Sequence, residues 1–172
     1  RALERLAGYP VRGMSYAYGD YDDRVVAQLP ALGIECARTT RCDPGYGLSS
    51  DFLRWTPTCH HRDCLARGKD FLAAPDRRGP LLFYVWGHSY EFDNNNNWAE
   101  IEQFCRDLGG QAAIWYATNI EIVDYVNAMR NLRIAVDERA VFNPSGLEVW
   151  FSDCSDTGKV ERSVGPGATL RL

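Results

Sequence analysis

The sequence predicts an α/β body followed by a small antiparallel β extension, and three observations carry that prediction. A continuous apolar run, Leu81-Leu82-Phe83-Tyr84-Val85-Trp86, ends abruptly in Gly87-His88-Ser89-Tyr90-Glu91-Phe92-Asp93. Rich in aromatic and branched residues and introduced by Gly79-Pro80, it reads as a strand buried on both faces, the signature of a parallel sheet. Short apolar strands then alternate with helical spacings as far as residue 130. From Asn131 the pattern changes to short alternating runs separated by Gly, Asp, Asn and Pro, which is antiparallel composition. Residues 1–130 are therefore the α/β body and 131–172 a β-strand appendage.

The elements follow in order. Residues Arg1 to Gly8 read as the end of an amphipathic helix, as though the chain starts mid-structure. Val11 to Tyr18 form a strand closing on Gly19. Asp20, Asp22 and Asp23 give an acidic start to a helix carrying Val25, Val26, Leu29 and Leu32, which Gly33 stops. Ile34 to Thr40 make the next strand, and Arg41 to Ser50, with Pro44, Gly45 and Gly47, has turn composition. Phe52 to Thr58 is extended, and Leu65, Phe71 and Leu72 mark a helix ending at Pro75. After the strand Leu81 to His88 comes a polar loop, Asp93 to Asn97. Trp98, Ile101, Phe104, Cys105 and Leu108 then share one helical face, closed by Gly109-Gly110. Ala113 to Ala117 reads as a strand, Thr118 or Asn119 as a cap, and Ile120 to Val126 as a helix. The extension contributes Leu132 to Val136, Leu147 to Phe151 and Ala168 to Leu172.

Bulk properties narrow the partners. With 172 residues, 45% of them hydrophobic, the chain can bury one real core. A net charge of -4 and a pI near 5.4 leave no basic stripe for a nucleic-acid backbone, so neutral ligands fit better. No apolar stretch reaches the roughly 20 residues of a membrane span, and no membrane partner is expected. The six cysteines, scattered through strands and helices, read as buried free thiols, with disulfides left open as the alternative. Asn143-Pro144-Ser145 carries proline at the forbidden position of a glycosylation site, and the compartment stays open.

Three strand ends carry unusual polar or aromatic groups: Ser15 to Gly19, Cys59-His60-His61, and Gly87 to Glu91. A parallel α/β body gathers such ends on one rim. All three histidines then lie near one site, with Tyr16, Tyr18, Trp55, Trp86 and Tyr90 as flat apolar walls. Walls of this kind suit sugars, whose C–H faces stack on aromatic rings. Cys59, His60, His61 and Cys64 are metal-ligand types, but adjacent histidines on an extended segment point to opposite faces. No metal ligand is assigned, and one histidine is expected to face the pocket while the other packs. Glu91 and Asp93 read as solvated loop charges, too close in sequence to straddle a glycosidic bond.

Met14 to Asp22, Gly33 to Thr40, Phe52 to His61, Tyr84 to Asp93 and Trp115 to Asn119 together resemble the polysaccharide deacetylases of the NodB-homology type, carbohydrate esterase family four. The likeness spans nearly the whole chain. It implies a partial (β/α) barrel, and the tail from Asn131 is similar to a β extension in one bacterial branch. A bacterial protein of the cytoplasm or cell envelope is implied without choosing between them. The activity implied is metal-dependent removal of N- or O-acetyl groups from a polysaccharide or oligosaccharide. In such an enzyme a metal-bound water attacks the acetyl carbonyl.

Carried over by position, Tyr18 would offer its backbone N–H to the oxyanion, within a motif where Ala17 replaces the usual proline and Ser15 a frequent arginine. His88 would be the general acid that protonates the leaving amine or alcohol, held protonated by a carboxylate partner. Tyr16, Trp55, His60, Trp86 and Tyr90 would line the substrate. The family's Thr-Phe-Asp-Asp-Gly and His-Ser-x-x-His motifs, which supply its base and its Asp-His-His ligands, do not occur here. The chain thus resembles the C-terminal portion of a deacetylase. A divalent metal, zinc or similar, belongs to the intact family member and is assigned to no residue of this chain. The alternative is an inactive remnant that binds glycan or a partner chain, and a further idea is that His60, His61 and His88 rebuild a metal site. Acetylated carbohydrate is the expected partner. A barrel fragment exposes sheet edges, so a second copy or a complementary N-terminal chain is also expected.

Overall fold

Burial at a few apolar positions and the turns between them set the architecture of the computed structural model, which describes residues 2–74, 79–155 and 158–172. The chain divides into two units, residues 1–116 and 117–172.

The first unit runs α1 (Ala2–Ala7), β1 (Gly13–Ser15), α2 (Asp23–Gln28), β2 (Cys36–Arg38), β3 (Cys59–His60), α3 (Cys64–Leu72), β4 (Val85–Trp86), α4 (Tyr90–Asn95) and α5 (Trp98–Leu108). Its strand pairs are parallel. Gly13 stands opposite Cys36, and Cys59 and His60 stand opposite Val85 and Trp86. A parallel bridge between Arg38 and Trp55 joins β2 to the segment entering β3, through Trp55 N to Ala37 O at 3.0 Å and Thr39 N to Trp55 O at 2.9 Å. Strand neighbours therefore follow chain order. The sheets are small, and no pairing among the described residues closes them into a ring.

Alternation of strand and helix is present, with local departures. Only Val85 and Trp86 of the apolar run enter a ladder, and residues 81–86 are half-buried rather than covered on both faces. Tyr84 O still accepts from Thr58 N at 2.8 Å, which keeps the run beside β3. The strand at residue 13 stops at Ser15 because Ala17–Gly19 coils into a 3-10 turn, with Tyr18 at φ 56°. Phe52–Arg54 is likewise a 3-10 turn, with Asp51 accepting from Leu53 N. Ala113 to Ala117 forms no strand, and helix α4 stands where a polar loop was expected. The proposed helix end at Pro75 lies outside the described residues.

Tyr16, Val26, Leu29 and Ala37 form one buried cluster, flanked by Ile34 and Leu53. Asp22 caps α2 by accepting from Val25 N at 2.8 Å, which satisfies a donor the first helical turn leaves open. Tyr46, Phe71, Phe83 and Phe104 make an aromatic layer with ring centres 5.2–6.0 Å apart. Gly68 lets α3 approach α5, since a β-carbon there would come within 2.7 Å of Leu108 Cδ1. Cys36, Cys59 and Cys64 are buried and free, as expected; Cys42, Cys105 and Cys154 are free but exposed.

The second unit holds α6 (Asn119–Arg130) with β5 (Arg133–Ile134), β6 (Ala140–Phe142), β7 (Val149–Ser155), β8 (Gly158–Val164) and β9 (Thr169–Arg171). Thr118 caps α6, and with Glu121 it completes a capping box. The strands pair antiparallel, in the order β5-β6-β9 and as the hairpin β7-β8. Ala128 of α6 is buried with Val141, Val149 and Val164, so this helix clusters with the strands that follow it. The division consequently precedes α6 instead of following it. Asn143, fully buried, donates to the carbonyls of Leu147, Val164 and Gly165 and accepts from Ser145 N. No helix among the described residues is long and apolar enough to cross a membrane.

Candidate functional site

The histidines meet at a single carboxylate. His60 ends β3 in extended geometry, with φ -74° and ψ 153°, and His61 opens a 3-10 turn at once. Opposite-face alternation holds only while the backbone stays extended. Because the chain coils between them, both rings swing to the same side, with centres 4.2 Å apart. This corrects the expectation that one would face the pocket and the other the packing.

Their common target is Glu91. Its Oε2 lies 3.1 Å from His60 Nε2 and is hydrogen-bonded to His61 Nε2. Its Oε1 lies 3.9 Å from His88 Nδ1, an ion-pair distance too long for a hydrogen bond. Helix α4 makes this possible: it starts at Tyr90, so His88 and Glu91 stand three residues apart on one turn. Gly87 is required as well, since a β-carbon there would overlap the His61 ring. Glu91 is thus an ordered part of the site, and its assignment as a solvated loop charge is overturned.

Hydrogen bonding fixes the proton positions. His60 Nδ1 accepts from Arg62 Nε at 3.2 Å and from Arg62 N at 3.4 Å. A neutral ring that accepts at Nδ1 carries its proton on Nε2, the atom that faces Glu91. Burial pulls His60 below the ordinary imidazole value, and the neighbouring His61 adds to this. The hydrogen bond from His61 holds Glu91 below the ordinary carboxylate range, against the opposing effect of desolvation. The centre of the cluster is an ionised carboxylate clamped between two buried rings.

Aromatic surfaces surround the exposed histidine. Tyr90 stacks on His88 with centres 5.0 Å apart and planes 29° apart. Trp86 stands edge-on to His60 at 4.8 Å and to His88 at 6.0 Å. The Arg38 guanidinium lies 4.7 Å from the Trp86 ring centre, and Trp86 Nε1 donates to Cys42 Sγ at 3.2 Å. The His88 side chain is 47% exposed and Tyr90 is 56% exposed. Both are open to a ligand from solvent.

No family model matches this chain, and no curated protein or solved structure matches it.

Of the residues singled out from the sequence, His60, Trp86, His88 and Tyr90 come together. Tyr16 and Trp55 do not join them as sugar-facing walls. Tyr16 is a core residue whose hydroxyl donates to Leu53 O at 2.7 Å, and Trp55 is 1% exposed between Phe52 and Tyr84. Both were drawn inward because large aromatic area is worth most when buried. The Tyr18 side chain is exposed, and no contact among the described residues joins it to the cluster. His61 stands with them, as expected of all three histidines; Glu91 was set aside as a loop charge, and Arg38 and Cys42 were missed. The spacing His88-x-x-Glu91, just after a strand, was the available signal, because one helical turn places such a pair on one face.

His60, His88 and Glu91 each bring one ligand atom within 4.8 Å of the others, so this cluster has the composition and spacing of a metal site. A separate cavity of about 260 Å³ lies between the 43–51 loop and residues 54–58 and does not include these three. Its lining includes Trp55, whose buried indole N–H has no hydrogen-bond partner among the described residues. The histidine–carboxylate cluster stands outside this cavity.

Proposed function

We propose that this chain carries the proton-donating side of a carbohydrate deacetylase site, acting on N- or O-acetylated sugars. One observation supports the reading above others: His88, half exposed at the end of a parallel strand, stands between an anchored carboxylate and aromatic faces. The chain-order parallel pairing also suits the partial (β/α) barrel that the resemblance implies.

In this reading Tyr90 and Trp86 offer flat surfaces to the C–H faces of a sugar ring. His88 lies at their edge and delivers its proton to the departing nitrogen or oxygen as the bond to the acetyl carbon breaks. Water supplies the oxygen that bonds to that carbon, the protons it sheds pass to solvent, from which His88 is recharged, and the products are acetate and a free amine or hydroxyl. Glu91 positions the donor: it is held by His60 and His61, and its negative charge stays beside the ring that must carry the proton. The resemblance leaves the oxyanion to the Tyr18 backbone N–H, in a turn whose left-handed geometry is fixed at Tyr18 and at Gly19, φ 80°.

A divalent metal, where bound, would supply Lewis-acid activation of water. His88 is not its ligand in this role, because a ring that coordinates a cation has no proton to give on that atom. Acetate release from an N-acetylated oligosaccharide tests the proposal. Release that depends on His88 supports it, whereas glycan binding with no release favours the alternative of an inactive binding module.

A further inference from the structure

We propose that His60, Glu91 and His88 form a transition-metal site of this chain's own, and that an ion captured there withdraws His88 from proton donation. The second part rests on the deacetylase reading. The first stands on the cluster alone.

Donor chemistry is the starting point. Two imidazoles and one carboxylate, with no thiolate among them, suit zinc, cobalt, nickel or copper rather than magnesium or calcium. His60 Nε2 and Glu91 Oε2 are 3.1 Å apart, Glu91 Oε1 and His88 Nδ1 are 3.9 Å apart, and the whole set lies within 4.8 Å. Zinc bonds of about 2.0–2.2 Å in a tetrahedron put neighbouring donors about 3.3–3.6 Å apart, so the set, which lies within 4.8 Å, closes by at most about 1.5 Å. The half-exposed His88 ring can make that movement while the buried His60 stays in place. Among the described residues three protein donors converge, which leaves a position for water.

The surroundings both help and oppose. His61 holds Glu91 from the side, as an outer-shell partner orients a ligating carboxylate. His60 is less well prepared. A ring ligating through Nε2 needs its proton on Nδ1, with an acceptor facing it, yet Arg62 Nε donates to that Nδ1 at 3.2 Å. The exposed Arg62 side chain must turn away, and the longer contact from Arg62 N at 3.4 Å must be given up, before the ion is held. Arg62 is therefore a brake on the site, and its removal tightens binding.

Cobalt(II) titrated into the purified 172-residue chain tests this, read by its visible d–d absorption. The expected result is saturable binding of one ion per chain. His88→Ala, which changes an exposed ring, abolishes the absorption with the circular dichroism spectrum unchanged, and Glu91→Gln does the same. Arg62→Ala tightens binding by up to roughly tenfold, the scale of outer-shell effects. No saturable absorption, or absorption that survives in His88→Ala, overturns the site. The result is separable from the deacetylase reading: cobalt binding with no acetate release from the cobalt-free chain sinks that reading alone, and acetate release without cobalt binding sinks this one alone. Where both hold, cobalt or zinc in excess lowers acetate release in proportion to occupancy.

Discussion

Glu91 Oε1 lies 3.9 Å from His88 Nδ1 across the turn that leads into α4, while the other oxygen of the same carboxylate is held by two buried histidines. An anion tethered at one oxygen keeps its second oxygen aimed at a more mobile ring. Glu91→Gln keeps the shape and removes the charge. The expected outcome is a fall in kcat of about tenfold or more with KM little changed, the split expected for a group acting only as the proton moves. Steady-state kinetics on an acetylated oligosaccharide checks it. A rise in KM alone would assign Glu91 to binding.

Gly87 governs the seat of His61. A β-carbon there overlaps the imidazole, and His61 is almost fully buried against Phe92 at 4.4 Å. The ring cannot retreat without repacking. Gly87→Ala is expected to cost about 1–3 kcal/mol, the range for overpacking a filled site. Urea unfolding monitored by circular dichroism measures it, and an unchanged midpoint would contradict the account.

The thiols divide by burial. Burial pushes Cys59 up to about 12, and nearby Cys64 and Asp63 add to the effect, so it stays a neutral thiol at pH 8. Cys42, Cys105 and Cys154 are exposed. A thiol reagent applied to the folded chain should label these three and spare Cys36, Cys59 and Cys64 until denaturant is added. Mass spectrometry of the labelled peptides reads the pattern. Modification at Cys42 should also change the fluorescence of Trp86, whose indole donates to that sulfur.

The capping box of α6 carries a pH dependence. Hydrogen bonds from the Thr118 side chain and backbone hold Glu121 below the ordinary carboxylate range. A folded value below the unfolded one gives stability that is present above the unfolded value of about 4.3 and is lost as pH falls through the folded value. Glu121→Gln should remove this share of the acid-side slope. Thermal unfolding from pH 6 down to pH 3 measures it, and identical slopes in the two proteins would contradict it.

Elements set by local rules were legible in the sequence. The acidic start of α2, the shared face of α5 and the Thr118 cap each depend on residues a few positions apart. Among the antiparallel runs, β5, β7 and β9 were visible, while β6 and β8 were not, because Ala140–Phe142 is short and Gly158–Val164 mostly charged or exposed. The strand at Ala113 to Ala117 was expected from composition and found no partner to pair with. At the site, His88, Trp86, Tyr90 and His60 were visible as polar and aromatic groups at strand ends. Glu91 was hidden by reading the segment after His88 as loop. Tyr16 and Trp55 were misplaced because an aromatic ring looks the same in a sequence whether it lines a core or a ligand site.

Acetate release tests the central claim most directly. The protein containing residues 1–172 is incubated with an N-acetylated oligosaccharide, without added zinc or cobalt, beside its His88→Ala variant. The account predicts release by the unmodified protein and a fall of about a hundredfold or more in the variant, the scale of lost general acid catalysis, with the fold intact by circular dichroism. No release from the unmodified protein, or equal release from both, would contradict it.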